Sequence, residues 1–300
     1  MPAPQTTPHV IDVLRINGTE SKATPDLIIE IPHGATRTAD FTAVEAALTS
    51  PLPPKLSDFF HVNTDAGAPE LAVALAHRFV TMDPTKSVAI LRCRVPRTFI
   101  DCNRRIDADP SEFKAGKVTP GLMPWVTTDA DRELLLGRYR AYVKAVDDAV
   151  AEVMPKGGAM LLLHTYAPRS VGVEVDLNIV TSLHDAYTPE KEPTWPLRPE
   201  VDVIHKTVEG QSLAPVKVVE TLKQGLGGVN VQLADGESYP MHPSTLAFAH
   251  VTKWPGRVLC VEVRRDLLAN PWTPFSQMTI GDEKCARLAG SFAEAVRAWW

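Results

Sequence analysis

Three short apolar runs in this chain lack the polar–apolar alternation of a strand with one wet face, and that constrains the fold more than any other feature. LIIEI at 27–31, MLLLH at 160–164 and VLCVEV at 258–263 are rich in aliphatic residues and bounded by proline, glycine or charge. Such a run fits a strand buried on both faces, the habit of a central strand in a parallel or mixed sheet covered by helices. Helical patterns separate the runs. Residues 70–80 (ELAVALAHRFV) fit an amphipathic helix with Glu70 near its positive end. From 132 to 153, Leu135, Tyr139, Tyr142, Val146, Ala149 and Val153 recur at three- and four-residue steps, with charges on the other faces, until Gly157-Gly158. Residues 88–91 read as a further strand, 98–100 as another short one, and 284–300 as a closing amphipathic helix. Strands alternating with long helices predict an α/β fold: one domain over residues 1–300, with a mixed, mostly parallel sheet flanked by helices. The stretch 187–215 is proline-rich and weakly periodic, which predicts a long excursion, one able to lie over a site, rather than a second domain.

A chain of 300 residues with 44% hydrophobic and 22% charged residues can bury a sizeable core, so any metal it holds is free to be chemical rather than architectural. The net charge of -5 and the lack of any Lys/Arg block argue against a nucleic-acid partner. No apolar stretch approaches the ~20 residues of a bilayer span, so no membrane partner is expected. The opening MPAPQTTPHV lacks the charged and apolar regions of a secretory signal. Cys93, Cys102, Cys260 and Cys285 form no C-x-x-C pair and read as free thiols, mostly in apolar contexts, which points to a reducing compartment, most simply a bacterial-type cytoplasm. Nothing in the pattern marks an oligomeric state.

Chemically able residues follow the apolar strands. LIIEI leads into Pro32-His33-Gly34, MLLL into His164-Thr165-Tyr166, and VLCV into Glu262 with Arg264 and Arg265 beyond, while FID leads into Asn103-Arg104-Arg105. In sheets of this kind, loops at the carboxyl ends of strands converge on one crevice. Each piece alone has a plain structural reading. A histidine after a strand is more often a cap or core residue, Glu262 can be salt-bridged to Arg264 or Arg265, and Asn103-Arg104-Arg105 can be a solvated turn. No HExxH or other compact metal signature is present. The residues alone reach an α/β hydrolase with a plausible metal, and no further.

The ordered set IPHGATR, HVNTDAG, RTFIDCNRR, Thr119 to Pro124 (TPGLMP), LLLHTYAPRS, DLNIVT and CVEVRRDLL resembles the N-formylglutamate amidohydrolase family over about residues 26–269. That family carries a PHSG-like start, a DTD-like segment, an R-x-x-x-D-x-N-R motif and a histidine on a later strand. It is similar in fold to the zinc carboxypeptidases, which implies a mixed sheet sandwiched by helices. The resemblance implies His33, Asp65 and His164 as ligands of one Zn2+ per chain, with other divalent ions also suited to that donor set. Two imidazoles and a carboxylate leave a fourth position for water. It further implies Glu262 as general base, Arg97 beside the oxyanion, and Asn103 and Arg104 on the substrate carboxylate. Arg169 is a candidate for a further acidic group or else a surface residue. Asn178 is a candidate for the pocket floor, whereas Asp176 reads as holding a turn.

Three positions depart from the related patterns. Leu162 stands where the family's D-x-H-S has aspartate, Gly67 where DTDWH has histidine, and Thr36 where carboxypeptidases keep a glutamate. The expected activity is hydrolysis of an N-acyl amino acid, N-formylglutamate to formate and glutamate. The rivals are a deacylase or small peptidase with another amide substrate, and a non-catalytic carboxylate-binding homologue.

Overall fold

The computed structural model describes residues 5–107 and 121–300. One sheet takes strands from almost the whole chain: β1 (Ile11–Asn17), β2 (Leu27–Ile31), β3 (Ser87–Cys93), β4 (Ala159–Tyr166), β5 (Val201–Val203), β6 (Leu233–Ala234) and β7 (Val258–Arg264). Their order across the sheet is β1-β3-β2-β4-β7-β5-β6. The central four, β3, β2, β4 and β7, run parallel, while β1 and β5 pair antiparallel with β3 and β7. The sheet is therefore mixed and mostly parallel, as the unbroken apolar runs require. All five residues of β2 and all eight of β4 are buried.

Alternation within these strands sorts the core into two layers. Leu27, Ile29, Ile31, Leu161 and Leu163 pack with helices α3 (Ala68–Met82), α6 (Val216–Gly228) and α8 (Asp282–Arg297). Ile28, Met160 and Leu162 face the opposite layer, which holds α1 (Thr38–Glu45), α2 (Leu56–Asn63), α4 (Asp129–Val153), α5 (Ile179–Ala186) and α7 (Leu246–Lys253). By the same parity His164 and Glu262 point into that second layer, at the carboxyl ends of their strands. Glu30 does so deeper in the sheet, where its Oε1 accepts from the Tyr142 hydroxyl of α4 at 2.7 Å, so this buried acid is satisfied.

The long helix begins three residues earlier than its apolar period, because Thr128 caps it by accepting from the Asp131 backbone N–H. Asp131 reaches back to the connection before α2. It accepts from Thr49 N at 3.0 Å, Ser50 N at 2.6 Å and Ser50 Oγ at 2.6 Å, while 2% exposed. Burial opposes its ionisation, but these bonds outweigh it and hold the carboxyl below the usual range. A folded-state pKa below the unfolded one contributes stability above about pH 4 that is lost as the pH falls further. Asp131→Ala is therefore expected to cost about 2–3 kcal/mol in urea unfolding at pH 7, with the difference from the parent shrinking below pH 4.

Two expectations need correction. Residues 98–100 are a turn, not a strand: Pro96 fixes the backbone, Phe99 N donates to Pro96 O at 3.0 Å, and only Ile100 makes a bridge, with Leu122. The stretch 187–215 is not simply a loop. It carries β5, three residues buried inside the sheet beside β7 and too short to leave a periodic signature. Around β5 the excursion does lie on the site, contributing Tyr187, Arg198, Ile204 and Val208 to the cavity described below. Of the TPGLMP stretch, Thr119 and Pro120 lie outside the described residues. All four cysteines are buried and free. Among the described residues no helix is long and apolar enough to cross a membrane.

Candidate metal and active site

The order β3-β2-β4-β7 means that the chain leaves β2 in one direction and later returns on its other side. The sheet's topological switch therefore falls between β2 and β4, where crevices form outside the carboxyl ends of strands. His33 lies two residues past the end of β2, and His164 stands near the end of β4. Glu262 is the registered neighbour of His164 on β7.

Asp65 arrives from the turn between α2 and α3. Its backbone N–H donates to His33 O at 3.2 Å, and the preceding Thr64 Oγ1 donates to Ala35 O at 2.5 Å, so the two loops are tied together. The carboxylate then lies between two imidazoles, with its Oδ2 2.9 Å from His164 Nδ1 and 3.3 Å from His33 Nδ1. All three residues are buried, and one ligand atom from each lies within 4.8 Å of the others. Two neutral imidazoles and a carboxylate converging at that spacing fit a divalent ion such as zinc, with one coordination position left open.

The outer partner of this group is a residue that sequence reasoning passed over. Asp101, fully buried, takes His33 Nε2 at 2.8 Å and Arg97 Nη2 at 3.1 Å. Burial opposes its charge, but His33, Arg104 and Arg97 hold its carboxyl well below the usual range. His33 therefore presents Nδ1 to the group while Nε2–H donates to a fixed anion, the arrangement that orients a metal-ligating histidine. The signal was in plain view: Asp101 is the aspartate of R-x-x-x-D-x-N-R, which in RTFIDCNRR also supplies Arg97, Asn103 and Arg104. Asp101→Asn is expected to weaken metal binding about 10–100-fold, measured by competition with a chromophoric chelator.

Glu262 has an unused atom: its Oε2 is buried without a hydrogen-bond partner. Burial and the nearby Asp65 charge raise its pKa, against the opposing pull of His164 and Arg198. Arg97 lies beside it in the cavity, with Nη1 3.5 Å from His33 Nδ1 and a buried, unpartnered Nε. Asn103 and Arg104 also line the cavity. Asn103 Oδ1 accepts from Ala247 N at 3.2 Å, and Tyr139 of α4 holds the Arg104 carbonyl at 2.8 Å.

Arg169 lines the cavity half-buried, anchored by Nη1 to Trp195 O at 2.7 Å. Asn178 falls outside: it is exposed at the start of α5 and does not line the cavity, because Ile179 of the first turn faces inward instead. Asp176 accepts from Asn178 N at 2.7 Å, the turn role expected of it. Arg198 was missed, and Arg265 was named without a place in the site. Arg198, from the excursion, sits 5.2 Å from the Tyr166 ring and 5.6 Å from that of Tyr239. Arg265, its pKa pushed down to about 10 by burial against the pull of Asp65, donates to Val62 O and Thr165 O and lies 4.0 Å from Asp65.

The departures have local causes. Gly67 has φ +92°, and a Cβ there would come within 2.7 Å of Leu268 Cδ1, so no histidine fits this turn without movement. Thr36 accepts from Arg92 Nη2 at 3.3 Å, away from the imidazoles, and the acid beside them is Asp65. Leu162 belongs to the apolar layer beneath the site. Gly34 is needed for close packing, since a Cβ there would meet Arg92 Cγ at 2.7 Å and Ile31 O at 3.0 Å.

The two imidazoles, Asp65, Glu262, Asn103 and the five arginines named above, at 97, 104, 169, 198 and 265, line one cavity of about 420 Å³, within the range of small-molecule sites. No protein-family profile matches the sequence. No curated protein matches it in sequence either. Solved structures do match. The chain resembles the crystal structure of N-formylglutamate amidohydrolase from Ralstonia eutropha JMP134, with a TM-score of 0.58 and 18% identity over 95% of this chain and 98% of that one. It also resembles the gene product Atu2144 from Agrobacterium tumefaciens, with a TM-score of 0.53 and 16% identity over 95% and 94%. The chain thus has the fold expected from its motifs, matched over 95% of its length.

Proposed function

We propose that this chain is a metal-dependent amidohydrolase acting on the linear amide of an N-acyl amino acid. The observation that carries the reading is the buried His33–Asp65–His164 group beside an acid, Glu262, whose carboxylate has an unpartnered oxygen. The likeness of fold to an N-formylglutamate amidohydrolase supports it and makes N-formylglutamate, yielding formate and glutamate, the first substrate to test.

His33, Asp65 and His164 would hold the ion, with Asp101 fixing the His33 ring. A bound divalent ion would lower the pKa of a water and polarise the scissile carbonyl. Glu262 takes a proton from the attacking water and passes it to the leaving amine, and its raised pKa favours keeping that proton between the two steps. Arg97 stabilises the negative charge that develops on the acyl oxygen. Arg104, with the Asn103 amide, grips the substrate carboxylate. Arg169, at its anchored position, meets a second acidic group when the substrate has one. Water adds across the C–N bond, so the products are an acyl acid and a free amine.

The test is metal content by plasma mass spectrometry on unchelated protein, paired with hydrolysis of N-formyl, N-acetyl and longer N-acyl amino acids. The expected result is about one ion per chain with release of the amino acid. Absence of metal, with no activity on adding zinc, manganese or cobalt, would sink the proposal.

A further inference from the structure

The cavity has a side that this mechanism leaves unused. Val171, Val173 and Val175 alternate with exposed Gly172 and Glu174 along the extended segment after β4, and all three valines are only half-buried and line the cavity. Ile179 and Leu183, one turn apart on the buried face of α5, line it as well, together with Phe59 of α2. Most of the charged groups come from other elements, namely the ends of β2, β4 and β7, the 97–104 turn and the excursion with Arg198, while Arg169 precedes the valines on their own segment. The cavity is therefore amphipathic, with both a charged and an apolar lining.

N-formylglutamate would leave the apolar lining unfilled. Its acyl part is a single carbon, and its side chain ends in a carboxylate, which is costly to desolvate against valine and isoleucine. Apolar surface facing a water-filled cavity favours a ligand that displaces the water.

We infer that these residues form an apolar subsite, and that the substrate is an N-acyl amino acid bearing a hydrophobic group of several carbons. This rests on the amidohydrolase reading above. The same chemistry arises from two sources, a longer acyl chain or a hydrophobic amino-acid side chain, and the subsite takes the apolar part in either case. Val208, 56% exposed yet part of the lining, extends the apolar surface to the rim, where a chain longer than the cavity would emerge.

The experiment has a binding arm and a turnover arm. Binding to the Glu262→Gln protein is measured by titration calorimetry with N-formylglutamate, N-hexanoylglutamate and N-formylleucine, and hydrolysis of the same three is followed with the unmutated protein. At roughly fourfold per buried methylene, discounted for incomplete burial, at least one hydrophobic ligand should bind about 30-fold more tightly than N-formylglutamate. A gain with N-hexanoylglutamate alone assigns the subsite to the acyl group, and a gain with N-formylleucine alone assigns it to the side chain. In a Val173→Asp background that preference should collapse to within about threefold. N-formylglutamate binding as well as both hydrophobic ligands, or no binding by any of the three, would overturn the subsite. The two readings fail differently: hydrophobic ligands that bind without being hydrolysed sustain the subsite and remove the amidohydrolase, whereas N-formylglutamate turned over with no hydrophobic preference does the reverse.

Discussion

Glu262→Gln is expected to cut turnover by about 10²–10⁴-fold while leaving metal content and substrate affinity close to those of the parent. The substitution keeps the shape of the side chain and removes the ability to accept a proton. Glu262 is not one of the three groups whose ligand atoms converge, and its Oε2 has no protein partner, so no hydrogen bond is broken at that atom. Its desolvation raises the cost of the charged form, so the neutral amide should fold at least as stably, and the melting temperature should not fall. Single-turnover kinetics with metal analysis on the same sample provide the check. A variant that keeps parental activity would remove Glu262 as the base. A variant that loses metal in proportion to activity would instead make it a ligand.

The parts of this molecule that were legible in the sequence are those where one physical requirement acts over many residues. Burial on both faces marked β2, β4 and β7, and a period of 3.6 over six turns marked α4. Because the site lies at the ends of those strands, His33, His164 and Glu262 came with them. Shorter elements left no such signature. β5 and β6 have three and two residues, and β1, with its partly exposed edge, reads as mixed polarity. Arg198 and Tyr239 sit on the irregular segments joined by those strands, so nothing local announced that they face the cavity. Asp101 stood in the R-x-x-x-D-x-N-R motif, but its role did not show there. It follows Pro96 through a turn that looks like a strand in the letters Thr98-Phe99-Ile100, and only the fold reveals that this turn aims its carboxylate at His33, 68 residues away in the chain.

His164→Ala and His33→Ala should each abolish both metal binding and activity, but with different costs to the metal-free protein. Removing a ligand weakens binding by more than the 10–100-fold lost with an outer partner, because the ion keeps only two protein donors. Without metal, His164→Ala strips Asp65 of its closest partner, at 2.9 Å, and leaves a buried carboxylate with His33 at 3.3 Å and Arg265 at 4.0 Å. An orphaned buried charge costs about 3–5 kcal/mol, and the two remaining partners should reduce that to about 2 kcal/mol. His33→Ala disturbs two acids at once. Asp101 keeps Arg97 and the Asn103 backbone N–H, at 3.1 and 2.8 Å, while Asp65 keeps His164. Both carboxylates therefore stay paired, and the loss should be smaller than for His164→Ala even though the cavity left behind is similar. Chemical denaturation of the two variants after chelation tests this ordering, and metal titration tests the ligand assignment. Unimpaired metal binding in either variant would exclude that histidine as a ligand, whatever the stability result.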